Sequence, residues 1–116
     1  GLTICYDIRF PNLYRDLAKI GSKIIIIPAA FTVPTGRSHW QTLLMSRAIE
    51  NSCYVIAAAQ CGNHHGSRKT FGHSMVIGPW GNKIINGSSK PGVFSTVLNL
   101  KEIEKVRSKL PSIFQD

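Results

Sequence analysis

The chain has 116 residues, 43% of them hydrophobic, and a formal net charge of +8. That composition suits one globular domain or part of one and excludes a disordered chain, and no stretch approaches the ~20 apolar residues of a membrane-spanning helix. The basic residues are scattered from Arg9 to Lys109, and Glu102 and Glu104 interrupt the one dense run. They form no aromatic-interleaved stripe of the kind that binds nucleic acid, so neither nucleic acid nor membrane is an expected partner. Three cysteines, Cys5, Cys53 and Cys61, are an odd number with no C-x-x-C pair. A disulfide framework is therefore not expected, and a reducing, cytoplasmic setting is.

In chain order, Leu2 to Ile4 is a short β-prone run ending at Cys5. Pro11 stands where a first helical turn begins, Leu13, Leu17 and Ile20 follow at helical spacing, and Gly21 suits the cap. Lys23 to Pro28 encloses the unalternated run Ile24 to Ile27, a pattern expected of a strand buried on both faces in a parallel sheet. A loop over 29–37 precedes a helix that Ser38 and Gln41 would open as a capping box, with Trp40, Leu43, Leu44, Ala48 and Ile49 as its buried stripe. Cys53 to Ala59 is the next strand, completing a β-α-β-α-β series and an α/β class. Beyond it the pattern predicts a loop over 60–70, strands over 71–77, 83–86 and 93–98, and a turn at Pro79-Trp80-Gly81-Asn82 in which Trp80 acts as a structural plug. A last helix follows, capped by Asn99, with Ile103, Val106 and Leu110 inward.

Cys5 is the chemical question. Free cysteine commonly packs as a small hydrophobe. At the carboxyl end of a strand in an open α/β sheet it also stands where sites gather. Three polar segments meet that edge on this reading: 5–9, 28–37 and 60–70. Cys53, opening an apolar strand, reads as core, and nothing beside Cys61 activates it. The histidines His39, His64, His65 and His73 do not combine with Cys53 and Cys61 at zinc-ligand spacing. A Cys5–histidine dyad through His39 or His73 has no spacing in its favour. Among the carboxylates only Asp7 is near Cys5, so the residues offer a candidate nucleophile without a base.

Several longer segments carry a resemblance. GLTICYDIRFPNLYR, PAAFTVPTGRSHWQTLL, SRAIENSCYVIAAAQCG and GHSMVIGPWGNKI, in this order, resemble the nitrilase, or carbon–nitrogen hydrolase, superfamily over nearly the whole chain. Among its amidase branches, AAAQCGNHH with GHSMVIGPWG most resembles the deaminated-glutathione amidases, with omega-amidases as close relatives. The resemblance implies the carboxyl-terminal part of a four-layer αββα sandwich. It also implies a Glu–Lys–Cys triad, with Cys5 as catalytic nucleophile and the Tyr6 backbone N–H sharing the oxyanion duty. The implied reaction cleaves the amide of a small ω-amido acid through a thioester, releases ammonia, and uses no metal or organic cofactor.

The triad's glutamate and lysine precede the cysteine in that family, and neither lies in these residues. Glu50, Glu102 and Lys69 occupy the wrong segments to replace them. The expectation is a partial carbon–nitrogen hydrolase domain over 1–116, starting just before the nucleophile and inactive by itself. Ala30, Phe31 and Thr35 are the candidates for lining the substrate pocket. The helices over 13–20 and 40–50 are expected at the interface of a homodimer. The alternative is a truncated or degenerate chain that survives only as a binding or dimerising piece.

Overall fold

The computed structural model describes residues 1–116. Leu2 makes only an isolated parallel bridge to Ile26, and Cys5–Arg9 then winds into a single 3₁₀ turn. Helix α1 (Pro11–Lys19) begins with proline in its first turn, where no amide donor is missed. It ends where Gly21, at φ +106°, turns left-handed and donates its N–H to Ala18 O at 3.1 Å. The buried face of α1 is Tyr14 and Ala18, whereas Leu13 and Ile20 of the expected stripe face outward. Both rows are spaced for a helix, and Tyr14 wins the inward place because its hydroxyl pairs with Thr3 Oγ1 at 2.8 Å inside the core.

Strand β1 (Ile24–Ile26) leads to one turn of helix, α2 (Val33–Thr35), a π turn at Gly36–Trp40, and the long helix α3 (Gln41–Asn51). The helical stretch thus starts before Ser38, which lies inside it and caps nothing. Pro34 suits a first turn, and Thr32 and Thr35 join hydroxyls there at 2.9 Å, so the entry falls upstream of the expected capping box. Ser52, left-handed at φ +48°, ends α3, and Cys53 N–H still reaches Ala48 O.

Strand β2 (Tyr54–Ala57) runs parallel to β1. The short β3 (Cys61–Asn63) and β4 (Lys69–Phe71) pair with each other as a separate antiparallel hairpin. The polar stretch 60–70 is therefore not a loop throughout. Its interstrand hydrogen bonds and the left-handed Gly62 and Gly66 organise residues that carry no hydrophobic alternation. Strands β5 (Met75–Ile77) and β6 (Lys83–Asn86) join β2 in antiparallel fashion, giving the sheet order β1-β2-β5-β6. The Pro79–Asn82 turn closes with Gly78 N–H on Asn82 O at 2.8 Å, and Trp80 on it is exposed rather than a plug.

Ile25, Val55 and Ile77 stand in register across the sheet and face the helices. They pack with Ile27, Ala57 and Met75 against Tyr14, Ala18, Trp40, Leu44 and Ala48, each large side chain contributing about 1.5–3 kcal/mol by burial. On the opposite sheet face Tyr54 and Val76 are buried, the Tyr54 hydroxyl donating to Asn99 O, whereas Ile26 is 39% exposed, so β1 alternates instead of being buried on both faces. Residues 93–98 form no strand, with Val93 and Val97 almost fully exposed. No neighbouring strand lies beside them to accept their backbone hydrogen bonds.

Helix α4 (Lys101–Lys109) starts as expected, with Lys101 N–H donating to Asn99 Oδ1 at 3.1 Å, and it buries Ile103 and Val106 while Leu110 stays exposed. Arg107 reaches back toward Ser22 O, Asn51 O and Cys53 Sγ, each at 3.4 Å. A final turn, α5 (Ser112–Gln115), places Ile113 in the main core.

A Cβ on Gly36 would lie 2.3 Å from the Phe71 side chain, so Gly36→Ala should lower the denaturant midpoint by about 1–3 kcal/mol equivalent in an unfolding titration. Burial pushes the Cys53 thiol above its ordinary range, partly opposed by Arg107, and burial likewise raises Tyr14. The folded state therefore holds these protons to higher pH than the unfolded one. Their contribution is complete below the unfolded thiol value of about 8.5 and is lost as pH rises beyond it. Urea midpoints should fall from pH 8 toward 10, and Cys53→Ala should flatten that slope.

Candidate active site

The site is built on the turn at Cys5. Thr3 N–H bonds Ile26 O at 3.0 Å and Cys5 N–H bonds Pro28 O at 2.8 Å, so the incoming segment follows the edge of β1 up to the cysteine. There the backbone reverses sharply, with Cys5 at φ +45°, a left-handed conformation uncommon for a residue with a Cβ. Asp7 secures the turn twice: its carboxylate accepts the Ile4 N–H at 2.9 Å, and its own N–H donates to Ile4 O at 2.9 Å. Asp7 is thereby a structural clamp on this turn. From the core side, buried Arg47 donates Nε–H to Ile8 O at 2.8 Å and pairs through Nη1 with Glu50 at 2.7 Å.

Cys5 is half-buried and opens on a cavity of about 540 Å³. Its walls are Ile4, Pro28 to Ala30, Ala58 to Gln60, Ser74 and Gly92. The parallel pairing continues beyond β1 and β2 at this edge: Ala29 bridges Ala59, Ala29 N–H donates to Ala58 O, and Gln60 N–H donates to Ala29 O, both at 2.9 Å. Ser74 Oγ accepts the Ala59 N–H at 2.9 Å and fixes the third wall. Alanines in a row leave the space that larger side chains would fill. No charged side chain lines this cavity.

Tyr6 follows the cysteine in the first turn of the 3₁₀ segment, where backbone donors lack intrahelical partners, and no protein group accepts its N–H. A strained residue bearing a thiol, followed by an unpaired amide donor, is an arrangement able to hold an acyl carbonyl and attack it.

The other candidate residues are distributed as follows. Ala30 lines the cavity with Cys5. Phe31 turns into the core against Trp40, ring centroids 4.7 Å apart, with the Arg9 guanidinium 5.3 Å over its outer side. Thr35 hydrogen-bonds Thr32 in the next helical turn and does not reach the cavity wall. His39 Nδ1 lies 3.4 Å from Arg9, and His73 hydrogen-bonds Phe71 O through Nδ1 at 2.7 Å, so neither faces Cys5 across the cavity. Cys53 is core, its thiol donating to Ser22 O, and Cys61 sits on β3. No three His, Cys, Asp or Glu side chains converge as metal ligands would. Ser74 and Gly92 were not legible as site residues. A serine at a strand's start and a glycine in an irregular segment carry no local signal of what they will face.

Comparisons with known proteins bear on the family and the fold. The family model described as carbon-nitrogen hydrolase matches residues 1–108. A deaminated glutathione amidase of Synechocystis is 50% identical over 113 residues, covering 97% of this chain and 42% of that protein. The chain thus spans about two fifths of the length of that curated relative. Among solved structures, Saccharomyces cerevisiae Nit3, a member of branch 10 of the nitrilase superfamily, superposes with a TM-score of 0.91 at 35% identity, covering 96% of this chain and 41% of that one. A glutamate-to-glutamine mutant of an amidase from Nesterenkonia, with acrylamide added at its active-site cysteine, superposes with a TM-score of 0.76 at 29% identity over 97% of this chain and 44% of that one. The match along nearly the whole length, with Cys5 on its strained turn at the sheet edge, places the chain in the carbon–nitrogen hydrolase family.

Proposed function

We propose that Cys5 is the nucleophile with which the whole protein hydrolyses the amide of a small ω-amido acid, residues 1–116 forming part of its catalytic domain. The observation that carries this reading is the left-handed Cys5 turn opening on the alanine-walled cavity beside the free Tyr6 N–H. The thiolate adds to the amide carbonyl carbon, and the developing oxyanion is met by the Tyr6 N–H. The carbon–nitrogen bond then breaks, ammonia leaves with the proton it gains, and a thioester remains. Water adds to the thioester, releasing the carboxylic acid and restoring the thiol.

Because no carboxylate or ammonium lines the cavity, a general base and an oxyanion cation are contributed by residues outside 1–116. The open apolar sheet face around Ile26 suits the second sheet of an αββα sandwich supplied by the same outside residues. Outward Leu13 on α1, Ile20 just past its end and Ile49 on α3 suit a homo-oligomeric contact. Deaminated glutathione is the first substrate to try, given the name of the Synechocystis relative. A non-catalytic binding or dimerising piece is the competing reading, favoured by the same exposed apolar surface.

The test is ammonia release by the intact protein. Cys5→Ala should abolish turnover, a loss of at least about 10³-fold, whereas undiminished release would remove Cys5 from the chemistry. Residues 1–116 produced alone should release no ammonia from the same amides. Turnover by that segment would overturn the assignment of base and cation to outside residues.

A further inference from the structure

Arg9 ends the 3₁₀ turn that begins at Cys5, and its half-buried side chain joins that turn to the loop after β1 and to the π turn before α3. The guanidinium carbon lies 5.4 Å from the centroid of the Tyr6 ring and 5.3 Å from that of Phe31, both inside the ~6 Å reach of cation–π attraction. Nη1 and Nη2 each lie 3.4 Å from His39 Nδ1, which accepts when the imidazole is neutral with its proton on Nε2. The ion pairs of the chain use Arg15, Lys19, Lys23, Arg47 and Lys105. Arg9 is therefore held by two rings and an imidazole, not by a carboxylate.

The two rings are anchored unequally. Phe31 is buried against Trp40, and its carbonyl accepts the Phe71 N–H at 2.8 Å. Trp40 is itself fixed by its indole N–H on His73 O at 2.8 Å. Tyr6, by contrast, is 65% exposed, and the Phe10 ring beside it, with centroids 5.8 Å apart, is exposed too. Asp7, Pro28 O and Arg47 secure Ile4, Cys5 and Ile8, and none of them bonds Tyr6. The side chain of the residue that carries the unpaired N–H is thus joined to the core through Arg9.

We propose that Arg9 is a positioning residue for amide hydrolysis: by bridging the Tyr6 ring to Phe31 it holds the Tyr6 N–H in the orientation that receives the oxyanion. This rests on the amidase reading above and adds to it a residue that does not line the Cys5 cavity. A donor fixed before the reaction stabilises the developing charge without reorganising at that moment. A donor on a loosely held residue loses part of that advantage. The planar guanidinium suits the place because it stacks on aromatic faces, whereas an ammonium meets them as a compact, strongly hydrated charge.

The test uses the intact protein with Arg9→Met and Arg9→Lys, and Lys109→Met on α4 as an exposed-cation control. Ammonia release from deaminated glutathione gives kcat and KM. Butyraldehyde reports the oxyanion donor without turnover: the Cys5 sulfur bonds its carbonyl carbon, the carbonyl π pair moves to oxygen, and that oxygen takes up the thiol proton. Iodoacetamide reports the thiol alone, because sulfur displaces iodide at a saturated carbon and no oxyanion forms. Arg9→Met should lower kcat about tenfold with KM held within about twofold, and weaken butyraldehyde inhibition by a similar factor. Its Cys5 alkylation should stay within about twofold of the parent rate, since the thiol's surroundings are unchanged. Arg9→Lys should fall between, and the control should match the parent. If Arg9→Met unfolds below the assay temperature, Arg9→Lys carries the same comparison. Alkylation slowed as much as turnover would make Arg9 a general support of the turn, and a raised KM alone would make it a substrate contact. Unchanged kcat and butyraldehyde inhibition in both variants would leave it a surface cation, and any of these three results overturns the assignment. Failure of the amidase reading appears elsewhere, as ammonia release that survives Cys5→Ala.

Discussion

The backbone at Cys5 is the constraint on which the candidate site depends. A residue with a Cβ held at φ +45° stores about 1–3 kcal/mol of strain and persists only where its surroundings leave no alternative. Here the surroundings act from three directions. Pro28 O holds the cysteine N–H to the sheet edge, Asp7 closes the turn on Ile4, and Arg47 holds Ile8 O from the helix side. Arg47 is buried and neutralised by Glu50, so the clamp reaches the turn from the well-packed middle of α3.

The rest of the fold delivers the walls around that turn. Parallel pairing of β1 with β2 brings residues 28–30 and 58–60 to the same edge, and the antiparallel β5 brings Ser74 there. The helices cover one sheet face and leave the other apolar and open near Ile26. Charge is partitioned in the same way. The cavity at the thiol carries none, while the separate recess between residues 32–37 and 67–69 is lined by three exposed cations.

Elements specified by their own residues could be read without the fold. The isoleucine run at 24–27, the apolar strand that follows α3, and the Asn99 entry to α4 all stand where local pattern puts them. Elements that depend on a partner could not. Residues 93–98 have the β-prone pattern of a strand but find no strand beside them. The 60–70 segment lacks the pattern, yet pairs as a hairpin because its glycines allow the turn and β4 lies alongside. On α1 two rows of residues have helical spacing, and only the Thr3 hydroxyl opposite Tyr14 decides which faces inward.

For the site the division is similar. The α/β class, the family resemblance and the cysteine at a strand's end were legible in the residues alone, because these rest on contiguous segments whose spacing is set by local geometry. Ala30 was within reach of the same reasoning, as the loop following a parallel strand. Only the tertiary structure decided that Phe31 turns into the core, that Thr35 pairs with Thr32, and that Ser74 and Gly92 complete the cavity. It also decided that Arg37, Arg68 and Lys69 share one recess. Those placements come from contacts between segments far apart in the chain, and a contact of that kind has no signature in either segment alone.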